Sequence, residues 1–244
     1  VPGFPYLPAR CTMGLQISGE MNPMNENSPN TVRVDIVSDV VCPWCIIGYK
    51  QLEKALAMLP VPVDMNLRWH PFELNPRMPE EGQDLGEHLA GKYGTSPEQS
   101  RAARQRLTDL GHSLGFEFDY FEGMRMVNTF KAHQLLHWAG EQGSQTALKL
   151  ALFEAFFSQR KDVSDTEVLV DTAAGVGLPR EEAAAVIEDQ RFAEIVRAEQ
   201  QQWLDREVHA VPTFVFNGRY QVPGAQEAET FVRVIDKIHS KEVA

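Results

Sequence analysis

Apolar residues recur with two different periods along this chain of 244 residues. Residues 31–37 alternate apolar and polar positions and carry four β-branched apolar side chains, a pattern that predicts a strand. From Ile46 to Leu59 the apolar residues instead recur at steps of three and four, which indicates one buried face of a helix. Residues 61–70 predict a second strand, and the proline-containing residues 71–79 predict turns.

Helical periodicity dominates the chain from there to about Gln190. Several helix start signals divide this block into separate helices. They are capping boxes at Ser96–Gln99 and Ser164–Glu167, N-caps at Asn128 and Ser144, and a proline at the first helical position at Pro179. We therefore expect residues 79–190 to form an inserted helical domain.

The last part of the chain returns to a strand pattern. Residues 191–207 predict a long helix, and Asn217-Gly218 between two apolar runs is a strong signal for a hairpin. Residues 226–240 predict a closing helix. Without the inserted block, the order β-α-β…α-β-β-α predicts a small mixed sheet with helices on both faces, formed by residues 31–78 and 191–244.

Composition limits the partners that such a fold can have. The formal net charge is −11 and the isoelectric point is about 5.1, so we expect no nucleic-acid partner, which would require a basic face. No run of 18 apolar residues occurs, so we expect no membrane span.

Residues 1–30 are rich in Pro, Asn and Gly and lack the basic and apolar regions of a signal peptide. We expect them to be a disordered extension or a remnant of recombinant expression, with Cys11 as a bystander. Three cysteines without a secretion signal favour a reducing cytoplasm, where a pair of nearby cysteines is catalytic and not a structural staple.

Cys42-Pro43-Trp44-Cys45 lies between the first strand and the first helix, a position that suits redox chemistry. Pro43 fits the first helical position, which makes Cys42 the N-cap. There its sulfur points at unpaired backbone N–H groups and the positive end of the helix dipole, so we expect a lowered pKa and a nucleophilic thiolate. Cys45, one turn into the helix, is expected to be more shielded and to act as the resolving thiol.

The cysteine pair has two other interpretations, a structural zinc site and inert thiols. A zinc site needs four ligands, and the only further cysteine is Cys11, with no second CxxC pair. His133 and His137 lie four residues apart, but they lack the glutamate of a zinc hydrolase and a third ligand. No metal site is therefore predicted.

Val211-Pro212 lies directly before a predicted strand. One interpretation is a proline at the edge of a loop. With a CxxC pair at the start of the first helix, the sharper interpretation is a cis proline facing the disulfide, because X-Pro is the peptide bond for which cis is accessible. The backbone of Val211 would then be free to pair with an extended substrate segment.

Together these motifs resemble the DsbA-like family of thioredoxin-fold thiol–disulfide oxidoreductases. The resemblance covers about residues 31–240 and looks most similar to the cytoplasmic FrnE branch. The segments that carry it are Ser38 to Cys45, Phe72-Glu73-Leu74-Asn75-Pro76, Asn128-Thr129 with Ala132-His133, Val211-Pro212-Thr213-Phe214, Val215 to Gly218, and Gly224-Ala225-Gln226. Two departures are Ala210, where relatives often carry glycine, and the lack of a second cysteine pair that some members have near the C-terminus.

The resemblance implies a thioredoxin-like α/β fold with a large all-helical insertion, in which Cys42 attacks, Cys45 resolves and Pro212 is cis. It implies protein or peptide thiols and disulfides as substrates, with glutathione as a candidate co-substrate. It implies no cofactor beyond the redox-active disulfide. Neither a monomer nor a homodimer is excluded.

Further residues are expected to tune or line the site. Trp44 is large and uncharged, so the helix terminus should dominate the pKa of Cys42. Asp39, and with less support Asp35, could carry a proton to or from Cys45; a solvated acid is the equal alternative.

Five aromatic or imidazole side chains could face the substrate or lie in the core. We expect His133 to line a groove opposite Cys42 and His137 to pack in the core. Phe72, with Trp44 and Trp69, could form an apolar substrate surface, although aromatic residues at such positions are more often core.

Two rival functions share this sequence pattern. The first is a glutathione-dependent transferase or isomerase of the kappa or 2-hydroxychromene-2-carboxylate isomerase type, whose members usually carry serine at the motif and lack the second cysteine. The second is a non-catalytic module that binds client proteins through an apolar groove. The intact pair of Cys42 and Cys45 favours disulfide exchange over both.

Overall fold

A mixed four-stranded sheet lies at the centre of the computed structural model, which describes residues 31–242 and the side chains of residues 31–240. The expectations for residues 1–30 lie outside this range. The strands are β1 (Thr31–Ser38), β2 (Asp64–Pro71), β3 (Gln83–Asp84), β4 (Arg125–Met126), β5 (Thr213–Phe216) and β6 (Tyr220–Pro223). The helices are α1 (Pro43–Met58), α2 (Leu85–Tyr93), α3 (Pro97–Ser113), α4 (Phe130–Glu141), α5 (Gln145–Phe157), α6 (Thr166–Gly175), α7 (Arg180–Asp189), α8 (Ala193–Asp205) and α9 (Ala228–Glu242). In the described part of the chain, no helix is both long and apolar enough to cross a membrane.

The strand order of the main sheet is β2-β1-β5-β6. β1 runs parallel to β2 and antiparallel to β5, with Ile36 opposite Phe214. The predicted hairpin around Asn217-Gly218 joins β5 to the antiparallel strand β6. The expected order of strands and helices around this small mixed sheet is therefore confirmed.

Alternation along β1 divides the buried side chains between the two faces of the sheet. Val34 and Ile36 belong to the main core with Phe214, whose ring lies 4.8 Å from the ring of Phe231 in α9. The other face carries a second buried cluster that includes a residue of α8. This cluster comprises Val37, Trp203, Val208 and Val215. Helices therefore cover both faces, as predicted.

The insertion between β2 and α8 is mostly helical and departs from the all-helical expectation in one short ribbon. Within this ribbon β3 pairs antiparallel with β4, with Gln83 opposite Met126. Buried residues of the insertion such as Phe153 and Val186 belong to the same contiguous core as Val34 of the sheet. The insertion and the sheet are therefore packed around one shared core.

The predicted capping signals are partly confirmed. Ser96 caps α3, because its hydroxyl accepts from the Gln99 N–H at 3.2 Å and the Gln99 side chain accepts from the Ser96 N–H at 2.9 Å. The capping box predicted at Ser164 is wrong, since Asp165 is the N-cap of α6 and accepts from the N–H three residues later at 2.9 Å. The hydroxyl and the N–H of Ser164 both donate to Asp162, so Ser164 is engaged in a local turn.

Three further helix starts differ from the prediction in position or in capping. Thr129 is the N-cap of α4, although Asn128 accepts a hydrogen bond from the Phe130 N–H at 2.9 Å. Ser144 stands at the N-cap of α5 without a capping hydrogen bond from its side chain. Pro179 takes the N-cap position of α7 and not the first helical position. The starts of α4 and α7 are shifted by one residue, the start of α5 lies where it was predicted, and all three helices are in place.

Helix α1 approaches the start of β5 closely at Gly48. A side-chain carbon added at Gly48 would lie 3.0 Å from Cζ of Phe214 and 3.2 Å from Cγ of Pro212. The missing side chain therefore allows the helix to lie directly against the segment that leads into β5. This contact holds α1, which begins with the motif cysteines, against the Pro212 segment.

Replacing Gly48 by leucine is expected to reduce the free energy of unfolding by about 1–3 kcal/mol, because extra carbon atoms would overpack this contact. Gly91 in α2 is the matched control, since a carbon added there meets no atom within 4 Å. Gly91→Leu should be neutral or stabilising because leucine has a higher helix propensity than glycine. Urea unfolding compares the three proteins. Equal effects at both positions would contradict the close approach.

Candidate active site

Cys42 occupies the N-cap of α1, as predicted, with an extended backbone conformation (φ −93°, ψ 111°). Pro43 follows in the first turn, and the Cys42 N–H donates to the Asp39 carbonyl at 3.2 Å. The Cys45 N–H donates to the Cys42 carbonyl at 3.1 Å, so the two cysteines share one turn. Both are free thiols; Cys42 is 3% exposed and Cys45 is fully buried.

The segment before β5 completes the surroundings of Cys42. The Val211-Pro212 peptide bond is cis, which confirms the prediction. The Cys42 thiol donates to the Val211 carbonyl at 3.8 Å, and the Pro212 carbonyl accepts from the Gly224 N–H at 2.8 Å. The turn therefore places the Val211 carbonyl beside the Cys42 sulfur. The β5–β6 hairpin holds Pro212 in place.

The two thiols form a pair in which the second proton is held far more tightly than the first. The hydrogen bond with Cys45 and burial raise the pKa of Cys42, and the backbone N–H of Cys45 offsets this only in part. Burial also acts to raise the pKa of Cys45, but the Cys42 thiol, the charge of Lys149 and the Ser38 hydroxyl outweigh burial and lower it. The predicted lowering of the Cys42 pKa is therefore wrong for the reduced pair.

Lys149 is a residue of the site that the sequence analysis missed. It lies in α5, is 1% exposed, and its Nζ donates to the Ser38 carbonyl at 3.4 Å. Nζ also lies 5.5 Å from the centre of the Trp69 ring and 5.2 Å from that of Phe153. Burial lowers the pKa of Lys149 to about 8, although the negative charges of the cysteines and Asp39 act to raise it. The available signal was a lysine on the apolar face of the helix at residues 148–153.

Asp39, predicted as a proton carrier, is buried and held by two donors. Its Oδ2 accepts from the Leu74 N–H at 2.8 Å, and its Oδ1 lies 3.3 Å from Nε2 of His133. Burial acts to raise the pKa of Asp39, but His133, the Leu74 N–H and Lys149 outweigh it and lower the pKa. Asp39 therefore stays ionised at neutral pH. In this state it places a negative charge beside the pair, and its role as a proton carrier stays a prediction.

His133 and Phe72 do not lie where the sequence analysis expected them. The His133 side chain is 1% exposed, and its Nε2 lies 3.1 Å from the Phe72 carbonyl oxygen as well as next to Asp39. Phe72 packs, partly buried, on the cluster that contains Trp203 and Val215. The expected contact of either side chain with substrate beside Cys42 is therefore wrong. His133 orients the buried carboxylate instead.

Asp35, the second predicted proton carrier, belongs to a different charged group. Its Oδ1 accepts from Nε2 of His70 at 2.8 Å and from Arg33 at 2.7 Å, and Nδ1 of His70 lies 2.5 Å from Glu199. Burial acts to raise the pKa of Asp35, but the hydrogen bonds from His70 and Arg33 outweigh it and lower the pKa. His137, expected in the core, is partly exposed, with Nδ1 3.7 Å from Glu199. This group does not serve the redox pair.

A groove with a cavity of about 330 Å³ opens beside Cys42. The motif and the cis-proline segment form one side of it, and the exposed fraction of Trp44 is 48%. The residues from these two segments are Val41, Cys42, Pro43, Trp44 and Val211. The apolar residues that line the rest are Leu74, Leu85, Leu89, Leu107, Met124, Met126, Phe156 and Phe157. The structure thus brings Cys42, Trp44 and Val211 together at the groove.

The deeper residues of the site form a second layer. Cys45, Asp39, His133 and Lys149 are buried away from the groove lining. Within residues 31–242 no group of three His, Cys, Asp or Glu side chains is arranged to hold a metal ion. The site therefore consists of one cysteine that lines the groove, Cys42, and a second, Cys45, that lies behind it with charged residues.

Comparison with known proteins places this geometry in context. Residues 33–236 match the family model described as the DSBA-like thioredoxin domain. A solved structure of a probable DsbA oxidoreductase from Streptomyces coelicolor is 35% identical, with a TM-score of 0.80 over 84% of this chain and 89% of that one. The cytosolic disulfide reductase DsbM from Pseudomonas aeruginosa is 16% identical, with a TM-score of 0.55 over 85% of this chain and 95% of its own, and shows the fold alone.

A curated relative extends over nearly the same region. The uncharacterized protein YwbO of Bacillus subtilis (strain 168) is 24% identical over 213 residues, which are 87% of this chain and 100% of that protein. The family match and the Streptomyces structure confirm the expected thioredoxin-like fold with a helical insertion.

Lys149→Met is expected to raise the pH at which the reduced pair loses its first proton by roughly one unit, since a nearby opposite charge shifts a pKa by about 1–3 units. Lys149 loses its own charge near pH 8, so the difference is present below that pH and fades above it. Ultraviolet thiolate absorbance against pH measures the shift. Lys161→Met, at an exposed position, is the control. An unchanged midpoint in Lys149→Met would show that the buried charge does not act on the pair.

Proposed function

Because the chain belongs to the family of the DSBA-like thioredoxin domain, we propose that it is a thiol–disulfide oxidoreductase. Its substrates are protein or peptide thiols and disulfides, and Cys42 and Cys45 are the reacting residues. One observation carries the proposal: Cys42 lines a groove beside the Val211-Pro212 turn, while Cys45 is buried in the same turn of α1. A mixed-disulfide mechanism needs one sulfur that meets the substrate, here the outer sulfur of Cys42, and a second sulfur that resolves the adduct, here the inner sulfur of Cys45.

In the oxidising direction the pair starts as the Cys42–Cys45 disulfide. A substrate thiolate attacks the Cys42 sulfur, a mixed disulfide forms, and Cys45 leaves as a thiolate. A second substrate thiolate then attacks the substrate sulfur of the mixed disulfide and releases Cys42. The substrate has lost two electrons and gained a disulfide, and the pair has gained the two electrons.

In the reducing direction Cys42 attacks a substrate disulfide and Cys45 resolves the adduct. The remaining proton of the half-ionised pair lies on Cys42, which is the sulfur that meets the substrate. Attack therefore requires this proton to pass to Cys45 along the hydrogen bond between the two thiols. The expected order of roles, with Cys42 first and Cys45 second, then follows from access to the groove and not from the lower pKa.

Lys149 stabilises the inner thiolate in both directions. Its charge lowers the pKa of Cys45, and a thiol of lower pKa is a better leaving group. Asp39 acts in the opposite sense on the outer sulfur, because its negative charge contributes to the raised pKa of Cys42. The two buried charges therefore favour a thiolate at the inner position.

The turn at Val211 would receive the substrate backbone. The Val211 carbonyl lies at Cys42, so an extended substrate segment in the groove can pair with this backbone while its sulfur meets the pair. Trp44, lining the same groove, offers an apolar surface to such a segment. Glutathione would serve as the co-substrate that recycles the pair.

The proposed subfamily and cellular compartment are argued from the sequence as a whole and not from the geometry of the site. The motif segments resemble the FrnE branch, and the low cysteine content suits the cytoplasm. The mechanism uses the disulfide of the cysteine pair and requires no further cofactor. Monomer and homodimer are both compatible with it.

The two rival functions are separated by the second cysteine. A glutathione-dependent transferase or isomerase would keep its activity in Cys45→Ser, whereas disulfide exchange would be lost. A client-binding module would protect clients from aggregation equally well as Cys42→Ser/Cys45→Ser. The burial of Cys45 beside Lys149 supports exchange, because neither rival needs a stabilised inner thiolate.

Cys45→Ser is expected to accumulate a mixed disulfide between Cys42 and the substrate, because the resolving sulfur is gone. Cys42→Ser is expected to accumulate none and to lose exchange activity, although Cys45 remains. Intact mass of acid-quenched reactions with a disulfide peptide measures both. The mechanism is falsified if Cys45→Ser forms no adduct.

The reduction potential of the pair decides the direction of electron flow. In glutathione buffers, a potential below about −260 mV would mark a reductase, and one above about −220 mV an oxidase or isomerase. Lys149→Met should make the potential more negative, by up to about 30 mV at a pH at which the reduced pair is ionised, because destabilising the thiolate by one pKa unit disfavours the reduced form. An equal or more positive potential in Lys149→Met would contradict the role given to Lys149.

A further inference from the structure

The cavity beside Cys42 has a positively charged lining although the protein as a whole is acidic. Its lining includes Arg104 and Lys92 and, among the described residues, no aspartate or glutamate. The formal net charge of the chain is −11. A wall of cations without carboxylates raises the local concentration of anionic ligands.

Among the described residues, Arg104 is the cation of this wall whose side chain has neither a hydrogen-bond partner nor an ion-pair partner. Its partly buried guanidinium lies 6.0 Å from the centre of the Tyr120 ring and forms no hydrogen bond or ion pair with the side chains of residues 31–240. One turn earlier, Arg101 is paired with Glu98 at 3.0 Å. Lys92 is held by a backbone carbonyl and an amide oxygen at 2.9 and 2.7 Å and adds charge without a carboxylate partner. Arg104 therefore keeps its donors available to a ligand.

Three buried hydroxyl groups line the same cavity without a hydrogen-bond partner in the described part of the chain. They are Oγ1 of Thr95, Oγ of Ser100 and the hydroxyl of Tyr120. Ser100 is 4% exposed, so its hydroxyl is shielded from bulk solvent although the residue lines the cavity. Buried polar groups are rarely left without a hydrogen-bond partner. Three such hydroxyls and an unpaired guanidinium line this one cavity, so they could donate to the acceptor atoms of a ligand.

The neighbouring depression, of about 840 Å³, does not share this character. It also contacts Arg104 and Tyr120, but Asp84, Asp119 and Glu122 line its other wall. These carboxylates would repel an anion. The anion-binding character is therefore confined to the side of Arg104 that faces the Cys42 cavity.

We propose that Arg104 and the hydroxyls of Thr95, Ser100 and Tyr120 form a subsite for the carboxylate of a small thiol or disulfide whose sulfur reacts at Cys42. This inference rests on the proposed function. The cavity of about 330 Å³ is at the lower end of the range for small-molecule pockets, which favours a small anionic thiol over a segment of a folded client. The subsite makes Arg104 a specificity-determining residue.

Oxidation of the reduced protein by two disulfides tests the subsite. Oxidised glutathione carries carboxylates and 2-hydroxyethyl disulfide carries no charge; each takes two electrons and two protons from the pair and leaves as two thiols. Thiol counting after alkylation gives both rate constants. Arg104→Gln should lower the ratio of the glutathione rate to the hydroxyethyl rate by about tenfold, as expected for the loss of a charge-assisted hydrogen bond. Arg104→Lys should restore part of the ratio, and Arg106→Gln, exposed on the same helix, should keep it.

Ser100→Ala provides a second variant that does not depend on charge. It should lower the same ratio severalfold and leave the protein at least as stable to urea, because the removed hydroxyl has no partner in the free protein. A ratio that stays constant in both Arg104→Gln and Ser100→Ala would overturn the subsite. An equal loss with an uncharged peptide disulfide would assign the cavity to protein clients and also overturn it. If the wild type reacts with neither disulfide, the proposed function itself fails.

Discussion

The close contact of α1 with the start of β5 is the constraint on which the site depends. Gly48 leaves no side chain between the helix and Pro212, so the first turn of α1 lies against the cis-proline segment. β1 is followed directly by this helix and also pairs with β5 in the sheet. The same strand therefore positions both α1 and β5. Cys42 and Val211 meet because the backbone is held on both sides, and no flexible element separates them.

Burial, the hydrogen bond between the two thiols and nearby buried charges make the two sulfurs differ. Cys42 and Cys45 are both removed from water, and in that environment a fixed charge acts more strongly than it would at the surface. Lys149 and Asp39 lie behind the pair and act with opposite sign on the inner and outer sulfurs. Burial of Lys149 is unfavourable and lowers its pKa to about 8. At this position its positive charge stabilises the Cys45 thiolate.

Local patterns in the sequence predicted the elements, the motif position and the cis proline. These features depend on neighbouring residues: the period of the apolar side chains, proline at the start of α1, and the Asn217-Gly218 turn. The prediction failed where residues distant in sequence meet. His133 contacts Asp39 across 94 residues, and Lys149 reaches the Ser38 carbonyl across 111. Lys149 acts on the cysteines through such a contact, so periodicity and motif spacing could not reveal its contribution to the pKa of Cys45.

The groove is assembled from two parts of the chain with separate tasks. The sheet and α1 supply the reacting sulfur and the backbone at Val211, whereas the insertion supplies Thr95, Ser100, Arg104 and Tyr120. Because both parts share one core, the insertion is packed against the part of the chain that carries Cys42 and Cys45. Under the proposed function, substitutions on the groove face of α3 would therefore change the preferred substrate and leave the cysteine pair unaltered. In this fold, the residues proposed to select the substrate and the reacting cysteines lie in different parts of the chain. Helix α3 is therefore the element to change when selectivity is redesigned.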